Sequence, residues 1–228
     1  MTVPPPASHT GSPHTGSPRA GAPGSSAPGA SSPAAAVSGP DPVLVRPVVV
    51  LVGPPGSGKS TVARRLADRL TVVHRDTDHD VETGAGRSVP QIFADRGEAV
   101  FRAMETDALY TALRTHDGVL SLGGGAPLAP YNQELLAEYT AAGGLVVFLD
   151  VRPDVAVARM GDTHGRPLLE GDPRARFVEL MTTRRDIYEK VATLHLDTSE
   201  HTPDDVVDLV VAHLPPVDQQ GPSTSPVE

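Results

Sequence analysis

At 228 residues the chain has room for one core of ordinary size with extensions, not for two large domains. Nineteen Lys and Arg against 28 Asp and Glu leave a formal charge of −9, which makes nucleic acid a poor partner. The absence of cysteine excludes disulfides, zinc–thiolate centres and thiol nucleophiles, and leaves oxygen and nitrogen chemistry.

No apolar run approaches the roughly 18–20 residues that cross a bilayer, and the N-terminus lacks the basic-then-apolar pattern of a secretory signal. The expectation is a cytoplasmic protein with no membrane partner. Residues 1–42 are rich in Pro, Gly, Ala and Ser and offer little to bury, so they are expected to be a disordered extension. Residues 215–228 repeat that character. The folded domain is then 43–214.

Within it, short aliphatic runs alternate with amphipathic stretches, the pattern of a parallel sheet with helices on both faces. Strands are expected at Pro47–Val52, Thr71–His74, Gly118–Leu122, Leu145–Asp150 and Thr193–Leu196. A helix over Lys59–Leu70 carries Val62, Leu66 and Leu70 at i, i+4 and i+8. Ser88-Val89-Pro90-Gln91 reads as a capping box with proline in the first turn. Asp172-Pro173 opens a helix running to Tyr188, and Thr202-Pro203 opens the last one.

The strongest motif is Gly53-Pro54-Pro55-Gly56-Ser57-Gly58-Lys59-Ser60-Thr61, placed between an apolar strand and an amphipathic helix. In that context it is a P-loop. Its glycines let backbone N–H groups turn inward around phosphate oxygens, and the helix beginning near Lys59 adds its positive end. Lys59 reaches the β- and γ-phosphates, and the Ser60 hydroxyl is a ligand for Mg²⁺.

Four further features bear on the acceptor. Asp76-Thr77-Asp78 follows the second strand; read as an extended segment, it points both carboxylates the same way. One can then hold Mg²⁺ through water and the other accept a hydrogen bond from an attacking hydroxyl, while a solvated acidic turn is the plainer alternative. Gly123-Gly124-Gly125 follows the third strand and offers bare backbone as a floor for a small ligand, with a flexible turn as the equally common alternative.

Arg102 sits beside Glu105 at i, i+3, next to a stripe of Phe101, Met104 and Ala108. Arg184 lies within an apolar face formed by Phe177, Leu180, Met181 and Tyr188. Two arginines so placed suit a bound carboxylate, with surface ion pairing as the alternative for the first. The glycine-rich segment of residues 161–173 reads as a lid carrying Arg166 toward the γ-phosphate, with an ordinary surface loop bearing a solvated arginine as the alternative.

Together these residues resemble the shikimate kinase family, over Val48 to Leu214. The resemblance rests on the P-loop, on Asp76, Asp78 and Glu82, and on the series Ile92, Phe93, Gly97, Glu98, Phe101, Arg102, Glu105. Gly123-Gly124-Gly125 and Arg166-Pro167-Leu168-Leu169 complete it in order. The implied fold is a three-layer α/β sandwich around a five-stranded parallel sheet of order 2-3-1-4-5, with helices on both faces and a lid. The implied reaction is ATP-dependent phosphorylation of shikimate to 3-phosphoshikimate, on the route to chorismate and the aromatic amino acids.

By the same resemblance ATP is bound by Gly56, Ser57, Gly58, Lys59, Ser60, Thr61, Arg159 and Arg166, with Arg159 over adenine. Mg²⁺ is held by Ser60, with Asp76 behind it through water. Shikimate is bound by Asp78, Arg102, Gly123, Gly124, Gly125 and Arg184. Lys59, Asp78 and Arg166 carry catalysis, and a monomer is expected. The chain departs from the family pattern at Glu200-His201-Thr202-Pro203, where many relatives place an arginine before the proline. The rival readings are a kinase for another small polyol acid, such as gluconate, and a nucleotide-binding module without catalysis.

Overall fold

The computed structural model describes residues 47–161 and 172–214. The expected terminal extensions, and Arg166 with most of the expected lid, lie outside the described residues.

Five parallel strands form one sheet in the order β2-β3-β1-β4-β5: β1 Val49–Val52, β2 His74–Asp76, β3 Val119–Ser121, β4 Val146–Asp150 and β5 Leu194–Asp197. The helices are α1 Lys59–Leu70, α2 Thr77–Ala85, α3 Val89–Thr115, α4 Pro130–Ala141, α5 Pro153–Met160, α6 Pro173–Val191 and α7 Pro203–Val211. Every residue of β1 is buried, as a central strand covered on both faces requires. Alternation divides the core: Val50, Val52 and Phe148 pack with residues of α4 and α6, whereas Val49, Leu51 and Leu149 pack with α1 and α7.

Local chemistry explains the helix boundaries. The Ser88 N–H donates to Gln91 Oε1 at 3.0 Å at the start of α3, and Asp172 Oδ1 accepts from the N–H groups of Arg174 and Ala175 to open α6. The Thr202 hydroxyl accepts from the Asp205 N–H at the start of α7. A sharp bend divides α3 at Gly97, whose φ of 79° falls where glycine alone is at ease. It lets Phe93 fold back to 4.6 Å from Phe101, and these rings join Val81 and Ile92 in a third small core beneath α2.

The second strand departs from expectation. It occupies His74–Asp76 in place of Thr71–His74, because α1 ends in a left-handed turn at Thr71 (φ 58°) that the chain must leave before it can pair with β3. Asp76 and Asp78 therefore do not lie on one extended segment. Asp76 is the N-cap of α2 and Asp78 stands in its first turn, with the Asp78 N–H donating to Asp76 Oδ1 at 3.0 Å. An aspartate followed by a helix-compatible run relieves an orphan N–H by capping, which continued strand would not.

Candidate active site

The loop between β1 and α1 is shaped by close approaches. A side-chain carbon on Gly53 would lie 2.4 Å from the Leu149 carbonyl oxygen, and one on Gly56 would lie 2.7 Å from that of Ala156. Glycine alone lets β4 and α5 press against this loop. Lys59 opens α1, and its ammonium donates to the carbonyls of Gly53 and Pro54 at 2.8 and 3.0 Å, so its charge lies across the loop it belongs to.

A cleft of about 960 Å³ runs along this loop. Gly56, Ser57, Gly58, Lys59, Ser60 and Thr61 line it, with Asp76, Asp78, Glu82 and Gly124 to one side. Arg159, Thr198 and His201 line it as well. Arg159 donates to both oxygens of Thr198, at 2.9 and 2.6 Å, and the buried Thr198 hydroxyl lies 3.1 Å from the Ser57 carbonyl. That hydroxyl ties the end of β5 to the phosphate loop.

The glycine triplet is where distant segments meet. The register of β2 on β3 sets Asp76 opposite Ser121, and the Ser121 hydroxyl donates to Asp76 Oδ2 at 2.7 Å. Two residues on, the Gly123 N–H donates to Thr77 Oγ1 at 3.0 Å. A side-chain carbon on Gly123 would fall on Asp78 and Glu105, and one on Gly125 would lie 2.2 Å from an Arg102 guanidinium nitrogen. The Gly124 carbonyl accepts from the Tyr188 hydroxyl at 2.5 Å and from Arg184 at 3.3 Å. Asp78, Arg102 and Arg184 are thus gathered around Gly123–Gly125, and Asp78 and Gly124 face the cleft shared with Lys59.

Electrostatics sharpen the picture. Glu105 is buried and its Oε2 accepts from Arg102 at 2.7 Å, while Oε1 has no hydrogen-bond partner among the described residues. Arg102 also donates to Glu98 and lies along the rings of Phe101 and Phe93, 5.3 and 6.0 Å from their centroids. Burial, then Glu105, then Asp76 push the Asp78 carboxyl up to about 6, with Lys59 pulling the other way. Glu105 is raised too, by burial, against the pull of Arg102.

Of the sequence-predicted positions, Gly56 to Thr61, Asp76, Asp78, Gly124 and Arg159 line the cleft, Arg102 and Arg184 meet the glycine triplet without being among the lining residues, and Arg166 lies outside the described residues. Sequence reasoning passed over the Tyr188 hydroxyl, the Thr198 bridge and the burial of Glu105. Thr198 carried no signal of its own, whereas a tyrosine one turn beyond Arg184 on the same apolar face was a readable one.

A parallel sheet in this order, with a phosphate-cradling loop entering α1 and a carboxylate-and-arginine corner beside it, defines a P-loop kinase. Comparison with known proteins narrows the class. The family model for shikimate kinase matches residues 55–215, and the chain belongs to the shikimate kinase family. The shikimate kinase of Thermobifida fusca is 46% identical over 170 residues, covering 75% of this chain and 96% of that one. The one from Streptomyces coelicolor is 49% identical over 160 residues, 70% of this chain and 91% of that one. Among solved structures, shikimate kinase from Acinetobacter baumannii in complex with shikimate superposes with a TM-score of 0.68 at 32% identity, covering 74% of this chain and 92% of that chain. Shikimate kinase from Aquifex aeolicus gives 0.58 at 31% identity, covering 72% and 93%.

Proposed function

We propose that the residues gathered at the cleft divide among themselves the ATP-dependent phosphorylation of shikimate to 3-phosphoshikimate, a step toward chorismate and the aromatic amino acids. The observation that carries this reading is the meeting of Asp78, Arg102 and Arg184 at one glycine triplet beside the Lys59 loop.

Phosphoryl transfer asks a protein chiefly for alignment and charge stabilisation. The N–H groups of Gly56 to Thr61 and the Lys59 ammonium bind the phosphates, and Arg159 serves the base end of the cleft. Arg102 and Arg184 hold the shikimate carboxylate. A guanidinium carries five N–H donors, more than the Gly124 carbonyl takes from Arg184, so the same side chain can serve both. Backbone at Gly123–Gly125 admits the ring without side-chain interference. Asp78 accepts a hydrogen bond from the attacking hydroxyl and orients it. The role of Arg166 rests on the family resemblance alone.

Family membership implies a divalent metal with ATP, and Mg²⁺ fits the donors here. Among the described residues no group of three or more His, Asp or Glu side chains could hold a metal, and the carboxylates that line the cleft with the Ser60 hydroxyl, those of Asp76, Asp78 and Glu82, form no such group. So sparse a set suits an ion that keeps waters and substrate phosphates as ligands. When bound, the ion neutralises charge on the transferring group. Ser60 would hold it, with Asp76 fixed behind by the Ser121 hydroxyl and the Asp78 N–H.

No helix among the described residues is long and apolar enough to cross a membrane. A cytoplasmic monomer is the reading we favour; the exposed large apolar residues Val73, Val100, Tyr110, Tyr131, Val178 and Leu209 fall on five different segments. Sedimentation equilibrium tests the oligomeric part.

The deciding assay couples ADP release to an indicator with ATP, Mg²⁺ and either shikimate or gluconate as acceptor. Turnover with shikimate and none with gluconate is expected. Asp78→Asn should lower kcat at least about 100-fold with little change in KM for ATP. A wild-type kcat in that variant removes the assigned role.

A further inference from the structure

Asp150 ends β4 at the point where both halves of the cleft are supported. Each of its carboxylate oxygens takes one guanidinium nitrogen of Arg185, at 2.8 and 2.7 Å, a bidentate pair. The Asp150 side chain is only 13% exposed, and His195, stacked on Phe148, places Nε2 3.4 Å from the same carboxylate. The aspartate is therefore held from β5 as well as from α6.

Arg185 directly follows Arg184 on α6. Arg184 and Tyr188 both reach the Gly124 carbonyl, along one line of the helix surface. The buried residues of α6, Phe177, Leu180, Met181, Tyr188 and Val191, form one apolar stripe packed on the core on that same side, so a contact off the stripe is needed to fix the helix's rotation finely. Successive residues lie about 100° apart around the axis, so Arg185 leaves on a different side and its partner on β4 supplies that contact. The setting of the rotation decides where the Arg184 guanidinium points.

The nucleotide side hangs on a different atom of the same residue. The Asp150 main-chain carbonyl accepts from the Thr198 N–H at 2.9 Å and shares the single Thr198 hydroxyl hydrogen, at 3.0 Å, with the Ser57 carbonyl, and Thr198 in turn holds Arg159. That link needs no side chain at residue 150.

We infer that Asp150 is a positioning residue for acceptor binding: its ion pair with Arg185 sets the rotation of α6 that aims Arg184 at the acceptor carboxylate. The inference rests on the reading of Arg184 as a carboxylate clamp. It separates the two substrates, because replacing the Asp150 side chain disturbs the acceptor side and leaves the main-chain link to the nucleotide side intact.

The test is steady-state kinetics on the full chain, varying shikimate and ATP separately, for Asp150→Asn, Arg185→Met, the double variant and Arg184→Ala. Each single change at the pair should raise KM for shikimate about threefold to tenfold with KM for ATP within about twofold, and the double should do no more than the worse single, as for two groups acting as one unit. Arg185→Lys, which keeps the charge and loses the fork, should fall between wild type and Arg185→Met. Arg185 is 40% exposed, so its variants carry the test if Asp150→Asn does not fold. If Arg184→Ala raises KM for shikimate and the pair variants do not, the positioning role is refuted and the clamp stands. An unchanged shikimate KM in Arg184→Ala refutes the clamp and this inference together. Equal rises for both substrates, additive effects, or less folded protein with wild-type constants reduce the pair to ordinary structural support and overturn the proposal.

Discussion

Asp78 and Glu105 aim their carboxylates at one point: a side-chain carbon on Gly123 would lie 2.2 Å from Asp78 Oδ1 and 2.7 Å from Glu105 Oε1. The two acids come from different helices, and the glycine is what lets them approach the same backbone.

Gly123→Ala should therefore disable the acceptor side selectively. The added methyl must push Asp78 aside and drag Glu105 from Arg102, to which it is bonded at 2.7 Å. Shikimate-dependent turnover should fall at least about 100-fold, since an ångström of misplacement costs about that much. Binding of a fluorescent ATP analogue, read by anisotropy, should stay near the wild-type value. Parallel loss of both would mean that the change collapses the whole cleft.

Asp78→Asn should stabilise the ligand-free protein while inactivating it. A carboxyl raised from 3.8 to about 6 in the folded state binds its proton more tightly there than in the unfolded chain. The fold consequently loses stability as pH rises from about 4 through 6, on the order of 2–3 kcal/mol once both states are ionised. An amide escapes that cost. Thermal melts should show the variant above wild type at pH 8 and the gap closing toward pH 4; a variant melting lower at pH 8 would show that Asp78 is electrostatically comfortable.

Tyr188→Phe should weaken the anchoring of α6 with little effect on the fold's packing. The ring is fully buried, with its centroid 5.2 Å from that of Phe148, and a phenylalanine keeps that contact. The lost hydroxyl bond to Gly124 should cost about 1 kcal/mol, seen as a lower urea midpoint, with KM for shikimate raised more than KM for ATP. Equal changes in the two constants would remove the link between Tyr188 and the acceptor.

Chelation should stop turnover without unfolding the chain. No described cluster of three metal-binding side chains exists to tie metal to folding, so excess EDTA should leave the melting temperature of the ATP-free protein unchanged while abolishing activity, and added Mg²⁺ should restore it. A large drop in melting temperature would reveal a structural metal.

Much of the fold was readable from short stretches. The helix over Lys59–Leu70, the caps at Ser88, Asp172 and Thr202, and the apolar runs of β1 and β4 depend on residues a few positions apart, where capping geometry and side-chain period act directly. The segment from Asp76 to Asp78 was misread for the same reason turned around: two carboxylates at spacing two fit a strand as well as a cap, and pairing of β2 with β3 chose between them. Arg102 and Arg184 could be singled out as arginines wanting an anion, but their common destination was not written near either.

By itself the amino-acid sequence determined the phosphate loop, the succession of five strands, the helices of Lys59, Ser88, Asp172 and Thr202, and the chemical types available to the acceptor site, while the helix over Thr77–Ala85 went unread. Tertiary structure alone decided that Glu105 is buried against Gly123, that Thr198 ties the end of β5 to the phosphate loop, and that Asp150 grips Arg185. The physical reason is range. Capping and periodicity act over one or two turns, whereas burial, hydrogen bonding and ion pairing between residues 18 to 141 positions apart exist only after the sheet has set its register and the helices have packed on it.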